Sequence, residues 1–223
     1  MHKSHFMSQL HITLPITLDH HPSPVRMKIR EVVVKDPPVY ELVRVSGEMQ
    51  GSFDPWNLRD EFLSWPPKDW ERFVQMTGDF GTLLIKRTDF VEWQQIVKRA
   101  LLLPSREWSK LASRFDPIKV HRLFAPVGIT FIWDAVAPAA KVRTTTTITA
   151  IVATIQLDVL RGAQFKVCAR TDCVSPPFKV EARHKIYCSP ECAHLVAVRN
   201  SRARAANNKS SRQRFAKKRK PRG

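Results

Sequence analysis

All four cysteines of the chain lie in its last quarter, in two close pairs: Cys168 and Cys173 in CARTDC, Cys188 and Cys192 in CSPEC. The spacing is C-x4-C-x14-C-x3-C. Thiolates are soft ligands, and zinc takes four of them tetrahedrally with Zn–S near 2.3 Å. A pair three or four residues apart can converge on one ion from a tight turn, and two such pairs close the shell. Competing uses of thiols fit less well. Isolated core cysteines rarely fall in close pairs, and a redox site calls for C-x-x-C within a βαβ pattern that is missing here. Disulfides call for an oxidising compartment, and the first residues, MHKSHFMSQLHITLPITLDHH, lack the layout of a secretory signal. His184 or His194 remains open as a replacement for one thiol. The expected cofactor is one Zn2+ held by Cys168, Cys173, Cys188 and Cys192.

The neighbouring residues supply the elements such a site needs. ARTD between the first pair forms a polar knuckle. Residues 174–187 are long enough for a β-hairpin with Phe178, Val180 and Ile186 as its small core. Ser189 is a natural N-cap, Pro190 fits the first helical position and Glu191 suits the first turn. Cys188 then stands just before a helix and Cys192 in its first turn. Knuckle, hairpin and ligand-bearing helix make a treble-clef-like finger.

Read as a whole, CARTDC…F…R…YCSPEC…R…R resembles the CGNR-type zinc finger. The likeness runs from Cys168 to about Arg204. It rests on Asp172, Phe178, Arg183, the Tyr187-Cys188-Ser189 step, Arg199, Arg202 and Arg204. Ala193-His194-Leu195 stands where the family has its namesake Gly-Asn-Arg, and the family's final cysteine pair is usually one residue wider. The resemblance implies a finger at the C-terminus of a bacterial protein, behind a helical domain, that binds DNA and regulates transcription.

Charge points to the same partner. The formal net charge is +17, and residues 161–223 hold 17 Lys and Arg against three acids, whereas residues 1–160 are nearly balanced. One cationic end implies a polyanion, either nucleic acid or an anionic membrane surface. No apolar run approaches the roughly 20 residues needed to span a bilayer. The candidate nucleic-acid contacts are Arg183, Lys185, Arg199, Asn200, Arg202, Arg204, Arg212, Arg214, Lys217, Lys218, Arg219 and Lys220. Arg199 and Arg202, three apart, share a helix face suited to phosphates. Double-stranded DNA is the expected partner, and the expected location is the cytoplasm, at the nucleoid in a bacterium.

These residues must be carried by the rest of the chain. His11–Leu18, Val25–Val34 and Val39–Val45 alternate as strands of a small antiparallel sheet. Trp56–Trp65, Lys68–Phe80, Asp89–Leu103 and Ser105–Phe115 space their bulky residues as helices, and the six tryptophans between residues 56 and 133 read as core. Ile129–Trp133 reads as a short strand. A long helix from about Thr144 carries the stripe Ile148, Ile151, Val152, Ile155 and Val159, and Gly162 ends it. Only a few residues separate that helix from Cys168, so the finger is expected to dock.

The fold class is α+β. A mixed domain of sheet and helical bundle over 1–163 precedes a four-cysteine finger over 164–206 and a basic tail, disordered when free, over 207–223. The function expected is a zinc-finger nucleic-acid-binding protein, a DNA-binding transcriptional regulator with an N-terminal sensor or partner-binding domain. The alternatives are a zinc-dependent protein-interaction module and a treble-clef nuclease. Four thiolates fill the zinc shell and no H-E-x-x-H occurs, so an enzyme is not expected.

Overall fold

The computed structural model describes residues 16–31, 38–46, 54–125, 129–133, 138–182 and 184–218. Among these residues the fold is α+β, with two three-stranded sheets, a helical core and a cysteine module that carries a two-stranded ladder. In one sheet β2 (Val25–Glu31) pairs antiparallel with β3 (Val39–Arg44), and β3 pairs with the short β4 (Leu84–Ile85). This is the antiparallel sheet that the alternating residues predict.

The first strand departs from that expectation. β1 (Ile16–His20) leaves β2 and runs parallel to β6 (Pro138–Thr144), which pairs antiparallel with β5 (Ile129–Trp133). A parallel pairing needs a long crossover, and here the helical bundle supplies it. Side chains lock the register. Lys141 pairs with Asp19, and His20 Nδ1 lies 3.1 Å from the Thr144 hydroxyl. No local pattern in the sequence marks a partner so far along the chain.

Between β3 and β5 in sequence lie α1 (Pro55–Ser64), α2 (Trp70–Thr77), α3 (Arg87–Leu102) and the short α4 (Pro117–His121). Caps explain their starts: Asp54 accepts the Trp56 amide and Asp116 accepts the Ile118 amide, each with proline next in sequence. Ser105–Ser113 is a 3-10 helix rather than the α-helix its spacing suggests. Three residues per turn eclipse i and i+3, which stacks Trp108 and Leu111 on one buried line. The core is aromatic. Phe62 meets Phe73, Phe80 and Phe90 at centroid distances of 5.5, 6.0 and 5.1 Å. Of the six tryptophans expected in the core, Trp70, Trp93 and Trp108 are buried around them, Trp56 and Trp65 are half-buried, and the side chain of Trp133 lies outside the described residues.

α5 (Thr147–Leu160) is the axle of this domain. The expected stripe of Ile148, Ile151, Val152 and Ile155 is buried, but so are Ala150, Ala153, Thr154, Leu157 and Asp158. Only Val159 of the predicted stripe is exposed, at 39%. A helix buried on nearly every side is a central element, not a surface one. It ends as predicted: Gly162 takes φ +67, its amide reaches the Val159 carbonyl at 3.0 Å, and the Ala163 amide reaches Asp158 at 2.8 Å. That is a Schellman cap, which needs a residue tolerant of the left-handed region.

The buried Asp158 is answered by Arg59 of α1 at 2.6 Å. Such a pair contributes little net stability, yet losing one partner costs about 3–5 kcal/mol because a charge is left buried. The pair ties α1 to α5.

His20 is fully buried. Burial holds its imidazole down to about 4, outweighing the bond to the Thr144 carbonyl, and His21 adds repulsion. Above its ordinary range the ring is neutral in both folded and unfolded chains. Between pH 6.5 and about 4 only the unfolded chain takes the proton, so stability falls with pH. The expected loss from pH 7 to pH 4.5 is about 2.5 kcal/mol. Denaturant unfolding followed by tryptophan fluorescence should show this component in the native chain and lose it in His20→Gln. Equal acid slopes for both would contradict it.

Candidate metal centre

The cysteines are brought together by one short ladder and one helix start. β7 (Phe165–Lys166) pairs antiparallel with β8 (Phe178–Lys179), so the loop between them carries Cys168 and Cys173. The sequence predicts a hairpin inside 174–187. The described residues instead place the partner of Phe178–Lys179 before the knuckle, at Phe165–Lys166. Pro176 and Pro177, which lack amide donors, precede β8 and leave the ladder only two residues long. The knuckle turns where the Cys173 amide meets the Arg170 carbonyl at 3.0 Å. The Ala169 amide bonds the Ile186 carbonyl at 2.9 Å, which draws the first pair beside the second. Ser189 caps α6 (Pro190–Lys218) by accepting the Cys192 amide, as its position predicts.

The four ligand atoms lie within 4.8 Å of one another, with Cys168 and Cys192 buried. The Sγ separations are 3.6 Å for Cys173–Cys188, 3.8 Å for Cys173–Cys192 and 3.4 Å for Cys188–Cys192. A tetrahedron with Zn–S of 2.3 Å has S–S edges of about 3.8 Å. A disulfide would need about 2.05 Å, so all four thiols are free. Hydrogen bonds from Ser175 hold the Cys173 thiol down to about 6, whereas burial pushes Cys188 up. A cation is what lets four such sulfurs ionise together. His184 and His194 are exposed and stand outside this cluster, the one metal-competent group among the described residues.

The basic candidates do not share one environment. Arg199 is already engaged: Nη1 and Nη2 each donate at 2.8 Å to the two carboxylate oxygens of Asp172. That fork ties the first turns of α6 to the knuckle, and Arg199 holds the Asp172 carboxyl down to about 2. Lys185 is half-buried, paired with Glu181 at 3.1 Å and 5.7 Å over the Phe178 ring. Asn200, Arg202 and Arg204 are exposed on α6. Arg212, Arg214, Lys217 and Lys218 fall on its helical backbone, which runs on to Lys218. The boundary expected at residue 206 is therefore not a break in the helix. Residues 199–218 hold Ala, Arg, Lys and Gln with no Pro or Gly, and these are good helix formers. Arg183, Arg219 and Lys220 lie outside the described residues.

The module docks on the helical domain, as the short connection suggests. Phe165 packs against the main core, with the Arg59 guanidinium 5.2 Å over its ring. Lys179 approaches Asp158 at 3.9 Å. Sequence reasoning missed Arg59 and Asp158 altogether. The only signal was an acid within an apolar helix.

Comparison with family models, with curated proteins and with solved structures finds no match to this chain. Among the described residues no helix is long and apolar enough to cross a membrane. The geometry itself defines a four-cysteine metal-binding module, with sulfur spacing that suits zinc.

Native mass spectrometry should find one zinc per chain. Cys188→Ser should lose tight binding and raise amide exchange across residues 164–200, since structural zinc supplies on the order of 10–16 kcal/mol to a fold this small. The tryptophans all precede the module, so their fluorescence reports whether the helical domain stays folded. A metal-free chain, or one with two disulfides, would sink the assignment.

Proposed function

We propose that this is a zinc-finger nucleic-acid-binding protein that contacts duplex DNA through α6. One observation carries the reading: a helix of 29 residues, based on the cysteine cluster, with eight Lys and Arg and one acid. At 1.5 Å per residue it is about 43 Å long. Past Arg199 its side chains described to residue 206 are exposed.

The distribution of charge favours a groove. At 100° per residue, Arg202, Arg204, Lys209, Arg212, Arg214 and Lys217 fall around the whole circumference. A helix lying on a flat anionic surface would use one face only. Phosphates on both flanks surround a helix in the DNA major groove, which is about 12 Å wide, whereas the A-form RNA groove is too narrow. Arg199, held by Asp172, then serves to aim the helix, and Asn200, Arg202 and Arg204 are the nearest residues to reach phosphates or base edges.

The CGNR-type resemblance supports DNA as the polyanion and transcriptional regulation as the role. In that reading residues 1–163 are the sensor or partner-binding part, and the protein works in the cytoplasm. It is not proposed to be an enzyme, because four thiolates would leave zinc no open position for substrate.

The zinc-loaded full chain should bind duplex DNA with log K falling against log salt at a slope of roughly −4 to −7, for five to eight phosphates. Ala206→Pro keeps every charge but breaks the helix at about 3 kcal/mol. It should weaken duplex binding at least tenfold and leave single-stranded binding unchanged. Equal duplex affinity for both would make α6 a mere polycation. No binding at low salt, or preference for anionic vesicles, would defeat the nucleic-acid reading itself.

A further inference from the structure

A cavity of about 710 Å³ lies at the opposite end of α5 from the finger, between that helix and β3. Its volume falls within the range of small-molecule sites, which combine apolar walls with a few placed polar groups. Leu42, Ile148 and Val152 line it and are buried, while Leu83 at its edge is 80% exposed. A large apolar side chain left in water beside an apolar recess is a surface that a bound molecule would cover.

Two acids and two arginines line the cavity, Glu41, Asp79, Arg44 and Arg122, and both acids are already paired. Arg44 is neutralised by Asp79 at 2.6 Å, and Glu41 faces Arg30 at 3.5 Å. Arg122 forms no ion pair among the described residues. Its Nη1 donates to the Gly81 carbonyl at 2.9 Å, a neutral partner that leaves the cationic charge whole and further N–H groups to donate. The hydroxyls of Thr146 and Thr149, 2.7 Å apart, border the same space. The turn that seats Arg122 is built tightly. Gly81 has φ +87, and a Cβ there would stand 3.1 Å from Thr146 Oγ1 and 3.5 Å from Arg122 Nη1.

We infer that this cavity binds a small organic acid, with the carboxylate on Arg122 and on the one O–H that the mutual bond between the Thr146 and Thr149 hydroxyls leaves free, and the apolar body between Leu42, Ile148 and Leu83. An inorganic anion would leave the apolar wall uncovered, and a neutral apolar molecule would leave the guanidinium unanswered. A carboxylate with an aliphatic or aromatic body answers both. The inference does not depend on what α6 contacts.

The test uses the zinc-loaded full chain, with hexanoate and benzoate as probes and hexanamide as the uncharged control, by titration calorimetry and ligand-observed NMR. A charge-assisted hydrogen bond predicts saturable binding of an acid at least about tenfold tighter than of the amide. Arg122→Gln retains a donor for the Gly81 carbonyl and should remove the preference for the acid. Thr149→Phe fills the space from an exposed position and should abolish binding of acid and amide alike. Thermal unfolding confirms that each variant is folded. Equal affinity for acid and amide in the native chain, no saturable binding of either acid, or acid binding that survives both substitutions would overturn the assignment.

Discussion

Four sulfurs held within 4.8 Å cannot all carry charge without a cation among them. Bare thiolates repel, and thiols at that spacing offer each other only weak hydrogen bonds. The surrounding module has almost nothing else to hold it. Its ladder is two residues long on each side, and Val167, Val174, Ile186 and Leu195 are exposed rather than packed. A fold this small needs a staple, and a metal ion held by the four sulfurs would supply one. The knuckle turn at Arg170–Cys173 and the Ser189 cap of α6 bring the four sulfurs to that spacing.

Charge then divides the labour along α6. Near the cysteine cluster, Arg199 is engaged by Asp172. The pair is exposed, so its value lies in geometry more than in stability. A bidentate fork fixes an angle, and here it sets the helix against the knuckle. Beyond it the helix carries cations with no acid to answer them, a repulsion that the proposed polyanionic partner would relieve.

The helical domain and the finger meet through a few specific contacts. Arg59 answers Asp158 at the end of α5 and covers Phe165 at the start of the module. That ion pair lies within the helical domain, and the docking contacts are the guanidinium over Phe165 and the approach of Lys179 to Asp158 at 3.9 Å. The same α5 borders the cavity near Arg122 at its other end. The proposed acid site and the metal centre are thus joined by one buried helix.

Much of this was legible from residue types and spacing, because it depends on local chemistry. The cysteine pairs, the Ser189-Pro190 helix start, the Gly162 terminator, the tryptophan core and the β2–β3 pairing are each set by neighbours a few residues apart. What only the tertiary structure decided involves partners distant in sequence. β1 pairs with β6 rather than β2, β8 pairs across the knuckle rather than within a hairpin, and α5 is buried on nearly all sides. Arg199 illustrates the limit most clearly. Its charge and helical position suggest a phosphate contact, yet Asp172, 27 residues earlier, reaches it first. Spacing reports which side chains share a face, but the pairing of opposite charges depends on which surfaces the folded chain brings together.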